Sequence, residues 1–572
     1  MPQRSTTASV IVAIACTLLR VGPARGDELA SPRLAELSAK VAAQERGAED
    51  TFWRRVTDEG TPMVEDVHDA KGRLLVTFLY RAQPDTRAVA MFGAPGGAPA
   101  FPLGGYAKLA RLTGTSVFAH SELVNPAARI TYILVPGDDF GPPNGFPDMS
   151  QRQPLMRYDA LNKHPQRWGS GCAPSPPFCS RIDLPKAPSQ PLLVAHRETP
   201  AGDLVEVKVA SKALGNERRV LVYTPAGFAP NGPAYPLVVM FDAEAAITGL
   251  GIPIVLDELI ATRRIPPAVV LLVGNTNRGK ELSADPAFAD FVALDLVPWV
   301  RRSYHTTKDP RLTVLAGISL GGIAAAFAAA RHPAVYGNVL SQSGSYWWGP
   351  DDVDEGEALP HDYATHARLP LRFWMEAGTL ESASSGRGSH LLGANRHMRD
   401  MLLARGYEVS YREFAGGHDY FNWRGTIGDG LSALLAKPPR FSVAAPASPG
   451  KPGGIEVRAP RKSLLAKALR MALLDGGPAT VAWLAQQDAA LIGEADVSRV
   501  ASGLRELDHT AEAIALFEWN AQRFPASSSV HDSLADAYWR SGDRARARAG
   551  FQRAVELDPK NEPAQQMLEA LR

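Results

Sequence analysis

Three residues set far apart in the chain have the side chains that acyl transfer needs. Ser319 lies in Gly317-Ile318-Ser319-Leu320-Gly321, after an apolar run and before an Ala-rich stretch. That pattern reads as strand, sharp turn, helix, a turn that forces the serine into a strained conformation and lifts its hydroxyl above the sheet. Gly317 and Gly321 are small because the strand and helix backbones pass close to each other there. His418 follows a strand-like run in Phe414-Ala415-Gly416-Gly417-His418, where two glycines let the imidazole hang over the serine. Between them, Leu371–Met375 leads into a loop carrying Glu381, with Glu376 as a rival at the strand end. Such a set attacks an ester carbonyl. Ser319 is the nucleophile, His418 takes its proton, Glu381 orients the imidazole and offsets its charge, and water then releases the acyl group. The N–H of Leu320 and that of Asp242 or Ala243, after the apolar run ending at Phe241, are the expected oxyanion donors. Each is worth roughly 10²–10³ in rate.

These residues need an α/β scaffold, and residues 193–436 supply the pattern for one. Leu237–Phe241, Val269–Val273 and Thr313–Ala316 are continuous apolar runs, as buried parallel strands are, and helical stretches alternate with them. The expectation is an α/β-hydrolase domain. Before it, residues 27–145 open with a helical lead-in and continue as short alternating runs with turn residues between them, a small β-sandwich. Residues 146–192 are rich in Pro, Ser and Gly and read as a linker, as do residues 437–460. Residues 461–572 are amphipathic and helical. Ala513, Phe517 and Pro525 recur as Ala547, Phe551 and Pro559, a period matching tetratricopeptide-like repeats. Such a module binds a protein partner or packs on its own chain.

A chain of 572 residues is long enough for about three or four domains. Its formal net charge of +1 gives no general affinity for nucleic acid or an anionic membrane. Residues 1–26 read as a signal peptide, with Arg4, an apolar core over Ala8–Leu19 and small residues before Asp27. The apolar core is short for a bilayer span, so the expectation is an exported, periplasmic or secreted protein. A retained anchor and a lipidated Cys16 are the alternatives. In an oxidising compartment Cys172 and Cys179 would close one small disulfide loop. No further Cys pair or His cluster suggests a metal, and no motif calls for a cofactor.

Five stretches together resemble the enterochelin (siderophore) esterase family: Ile265–Val270, Arg278–Leu282, Gly317–Gly322, Leu340–Trp348 and Gly416–Gly425. Residues 51–145, including Arg111–Thr115, are similar to that family's N-terminal domain, and Glu376–Glu381 resembles its acid loop, which favours Glu381. The resemblance covers about residues 50–435. It implies hydrolysis of a catecholate trilactone siderophore, ferric or iron-free, in iron acquisition. It also implies that Arg278 and Trp347 or Trp348 face the substrate, because cations and indole faces suit an anionic aromatic ligand. Core packing for the tryptophans and an Arg278–Glu281 salt bridge are the competing readings. For the whole protein the alternatives are a general carboxylic-ester hydrolase acting on aryl or sugar esters, and a catalytically idle scaffold working through its repeats.

Overall fold

A computed structural model describes residues 31–571 apart from 94, 96–97, 101–103, 142–150, 167–178, 350–355, 383–389 and 439–443. The expected signal peptide and Cys172 lie outside the described residues, so Cys179 alone of the expected disulfide pair is described; it is buried.

Two helices, Pro32–Ala42 and Ala48–Glu59, precede an antiparallel sheet. Its strands are short and amphipathic enough to bury both faces by curling. Phe78 and Tyr132 sit on strands Leu74–Arg81 and Arg129–Pro136, with three strands between them in the sheet order. A flat sheet would hold them about 19 Å apart, at about 4.8 Å per strand. Their ring centroids are 4.9 Å apart, so the sheet folds over on itself around an apolar core. The sheet also draws in Pro165–Gln166 and Cys179–Asp183, from the stretch expected to be a linker. Cys179–Asp183 pairs with Arg129–Pro136 and buries its first three residues, a short run that the prolines before it hide in the sequence.

The catalytic scaffold is a nine-stranded sheet. Its order is Glu408–Phe414, Arg372–Gly378, Asn338–Gln342, Thr313–Ile318, Leu237–Phe241, Val269–Val273, Asn216–Thr224, Asp203–Ser211 and Ile455–Ser463. The first six are parallel and the last three join antiparallel. Leu237–Phe241 and Val269–Val273 are buried along their whole length, because helices cover both faces. The chain runs outward from Leu237–Phe241 to Val269–Val273 and then crosses back to Thr313–Ile318. The strand order therefore reverses between Leu237–Phe241 and Thr313–Ile318, and loops at the carboxyl ends of such a reversal diverge to leave a crevice.

The last strand, Ile455–Ser463, lies in part within the stretch expected to be a linker. It pairs with Asp203–Ser211 and hands the chain to helices that run from Leu465–Asp475 to Glu562–Ala570. Ala513, Phe517, Ala547 and Phe551 are all fully buried between successive helices. Gly550 lets two helices close up, since a Cβ there would come 2.8 Å from the Cβ of Ala535. The helices pack on their own chain: one apolar core runs from Ile247 and Leu250 of the catalytic domain into Leu504, Leu516 and Phe551. Tyr158 meets Trp539 edge-to-face at 4.5 Å, and Arg181 pairs with Asp508 at 2.8 Å.

Candidate active site

The segments that follow the carboxyl ends of all six parallel strands carry the candidate residues. Ser319 follows Thr313–Ile318 and precedes helix Leu320–Arg331, with φ 57° and ψ −120°. The strain is over-determined by packing. A Cβ on Gly317 would run into the carbonyl oxygen of Gly321, and one on Gly322 would come 2.8 Å from the Cα of Gly344. The Ser319 N–H donates to the Gln342 carbonyl at 2.9 Å, and its own carbonyl accepts from Ser345 N at 3.0 Å.

His418 Nε2 lies 2.9 Å from Ser319 Oγ, and His418 Nδ1 lies 3.1 Å from Glu381 Oε1. Glu381 is 3% exposed, and its loop is fixed by backbone bonds from Leu380 N to the Gly416 carbonyl and from Leu392 N to the Glu381 carbonyl, both 3.0 Å. The imidazole stands edge-on against Trp423, whose Nε1 donates to Ser343 Oγ at 2.9 Å. Asp419 caps the short helix Tyr420–Trp423 by accepting from Asn422 N at 3.0 Å, and burial pushes its carboxyl up to about 6.

The curled sheet braces the histidine loop. Arg129 N donates to the Ala415 carbonyl at 3.0 Å, and its guanidinium binds Asp183 at 2.9 Å and the Phe421 carbonyl at 3.3 Å. Leu380 and Ala415 pack against that sheet's core.

Glu376, the rival acid, is turned away from this cluster. It is fully buried, accepts from Gln342 Nε2 at 2.8 Å and Thr426 Oγ1 at 2.5 Å, and pairs with Arg412 at 3.1 Å. Burial raises its carboxyl above the usual range.

At the expected oxyanion position, Asp242 is left-handed (φ 58°) and immediately precedes helix Ala243–Thr248. Leu320 and Ala243 are first residues of helices, so their N–H groups have no intrahelical acceptor. Arg278 does not pair with Glu281, which binds Arg218 at 2.9 Å. It grips Asp242 instead, with Nε to Oδ1 at 2.8 Å and Nη2 to Oδ2 at 2.9 Å, and Asn275 also bonds Asp242. Trp347 and Trp348 are half-buried and pack on the apolar core that includes Ile323 and Ala324 of helix Leu320–Arg331. Ser345, not singled out in the sequence, has its Oγ 3.4 Å from that of Ser319. Its signal is the Leu340–Trp348 stretch that holds it. Among the described residues no cluster of His, Cys, Asp or Glu is arranged to hold a metal ion.

The iron(III) enterobactin esterase of Dickeya dadantii (strain 3937) is 31% identical to this chain over 437 residues, covering 69% of this chain and 95% of that protein. The chain belongs to the enterochelin esterase family. The Esterase family model matches residues 211–434 of this family member. The iron(III) salmochelin esterase of Escherichia coli O6:H1 is 28% identical, over 70% of this chain and 97% of that protein. Among solved structures, the ferric enterobactin esterase of Salmonella typhimurium superimposes with a TM-score of 0.54 at 28% identity, covering 68% of this chain and 98% of that one. This enterochelin esterase homologue is thus an ester hydrolase of mixed α/β fold. No described helix is long and apolar enough to cross a membrane.

Proposed function

We propose that the protein is an exported serine esterase that hydrolyses the ester bonds of a catecholate trilactone siderophore through an acyl-enzyme, for iron acquisition. The observation that carries this reading is the unbroken hydrogen-bonded line Glu381–His418–Ser319 in a member of this family. Ser319 Oγ attacks the ester carbonyl carbon as His418 Nε2 takes its proton. Glu381 receives the Nδ1–H and holds the imidazole in that tautomer. Glu381 is buried, and its Oε2 accepts no hydrogen bond among the described residues, so a positively charged imidazole is its natural counter-charge. The N–H groups of Leu320 and of Asp242 or Ala243 receive the oxyanion. His418 then protonates the leaving alcohol, and a water activated by the same nitrogen releases the acyl group from Ser319. Arg278 acts through Asp242 on the oxyanion loop.

Export rests on the leader-like residues 1–26, and a Cys172–Cys179 disulfide would follow from it. The C-terminal helices are read as tetratricopeptide-like repeats, and their shared core with the catalytic domain supports docking on this chain.

The test is hydrolysis of a catecholate trilactone, iron-free and ferric, by the mature protein beside Ser319→Ala, with products sized by mass spectrometry. Stepwise release of linear catecholoyl-serine fragments by the wild type alone is expected. Turnover of p-nitrophenyl esters without any trilactone cleavage would retain the triad and discard this substrate.

A further inference from the structure

A cleft of about 530 Å³ lies between the catalytic domain and the C-terminal helices. That volume is in the range of small-molecule sites, about 300–1,000 Å³. Its catalytic-domain wall includes residues that adjoin the reacting groups. Asp242 and Arg278 belong to the oxyanion side, with Arg278 Nη2 3.5 Å from the Ile318 carbonyl. Asp419 and Tyr420 immediately follow His418. The opposite wall comes from helices Glu494–Glu506 and Ser528–Arg540, with Ser498, Ser502, Ser529 and Ser533 along it. The first of these helices is seated on the helix that opens at the oxyanion loop, through an Arg499–Glu244 ion pair and the close approach of Gly503 to Thr248.

The charges of this cleft are already matched within the chain. Arg278 is held by Asp242, Arg499 by Glu244 and Asp496, Arg505 by Asp536 and Glu506, and Arg424 by Gln190, Asp508 and the Glu506 carbonyl. A trianionic ligand would have to break these pairs. The hydroxyls of Ser502 and Ser533, which line the cleft, make no hydrogen bond to a described residue, and the Tyr420 side chain lines it beside them.

We infer that the C-terminal helices form the second wall of the substrate cleft, and that this cleft takes an uncharged, hydroxyl-bearing aryl ester. For the reaction proposed above, that is the iron-free ligand. The inference rests on the serine-esterase reading, and the helices become part of substrate recognition rather than an appended module.

Ser502→Trp and Ser533→Trp in the full-length chain test it, with Arg548→Trp on an exposed helix face as control. Substrates are the iron-free and ferric trilactones, fluorescein diacetate as a bulky uncharged aryl ester, and p-nitrophenyl acetate as a minimal ester. The expected result is a fall of about ten-fold or more in kcat/KM for the bulky esters relative to p-nitrophenyl acetate, carried mainly by KM, with the control at wild-type values. The wild type is also expected to favour the iron-free trilactone over the ferric complex by about ten-fold. Unchanged ratios, or an equal fall on every ester, would overturn the wall. Equal or faster turnover of the ferric complex would overturn the ligand class. If no trilactone is cleaved but fluorescein diacetate turnover falls in both variants, the siderophore reading fails and the wall stands.

Discussion

Arg278 and Asp242 form a two-pronged ion pair at the proposed oxyanion loop, with both nitrogen–oxygen distances under 3 Å. Asp242 holds a left-handed backbone, and a planar guanidinium fixes a carboxylate in direction as well as distance. Arg278→Ala is therefore expected to lower kcat on any ester by about ten-fold or more, with a smaller effect on KM, because the loss is in oxyanion placement. Arg278→Lys is expected to recover only part of this, since an ammonium cannot span both oxygens. Steady-state kinetics on p-nitrophenyl acetate decides it, and a pure KM effect would place Arg278 in substrate binding instead.

Glu381 and Glu376 should separate by substitution. Glu381→Gln leaves a neutral partner at His418 Nδ1 and is expected to cut kcat by about 10³–10⁴ with an unchanged melting temperature. Glu376→Gln removes one charge of a half-buried pair, and Arg412 keeps Asp429 at 2.7 Å. Its expected effect is a change of about 1 kcal/mol or less in stability, with near-normal turnover per folded molecule. Urea unfolding and active-site titration with a fluorophosphonate measure the two effects.

Arg129 lies in the curled sheet, yet it holds the carbonyls on either side of His418 in sequence, those of Ala415 and Phe421. Arg129→Ala is expected to loosen the histidine loop and reduce kcat by about ten-fold. Acylation by a fluorophosphonate, followed by stopped flow, should slow in step, while no change would confine Arg129 to structure.

Asp419 sets a pH dependence of stability. Its folded-state carboxyl is raised to about 6 by burial, against an ordinary value of 3.8. The folded state then holds the proton more tightly than the unfolded one, so the stabilisation is full below about 4 and is lost as pH rises through 6. Asp419→Asn keeps an oxygen for the Asn422 N–H and removes the titration. The wild-type minus variant difference in unfolding free energy is expected to fall by on the order of 2–3 kcal/mol between pH 4 and 7. Urea titrations across that range measure it, and a flat difference would contradict the buried, protonatable Asp419.

Much of the fold was legible because buried parallel strands must be apolar throughout. Leu237–Phe241 and Val269–Val273 announce themselves in that way, and the glycines around Ser319 and before His418 mark the two turns that bring them together. What stayed hidden depends on distant partners. Residues 455–460 read as part of a linker because the stretch 437–460 is rich in Pro, Ala and Gly, and the hydrogen-bonding partner of Ile455–Ser463, Asp203–Ser211, lies in another part of the chain. Cys179–Asp183 is masked by the prolines before it. For Arg278 the sequence offers substrate contact or, as a local alternative, a salt bridge with Glu281 three positions on, whereas its partner in space is 36 positions back. The hold of Arg129 on the histidine loop has no local signature at all.

The strand Ile455–Ser463 has a consequence for how the protein survives in solution. An open sheet edge presents a row of unpaired N–H and C=O groups that can template aggregation. Asp203–Ser211 would present such a row if the chain stopped after Ile427–Leu435, the last helix of the catalytic domain. Ile455–Ser463 covers it and offers in its place an outer rim interrupted by Pro460 and studded with Arg458, Arg461 and Lys462. The last quarter of the chain thus carries the gatekeeper of the sheet, and a chain cut at the end of the catalytic domain would expose a sticky edge that the full-length protein keeps closed.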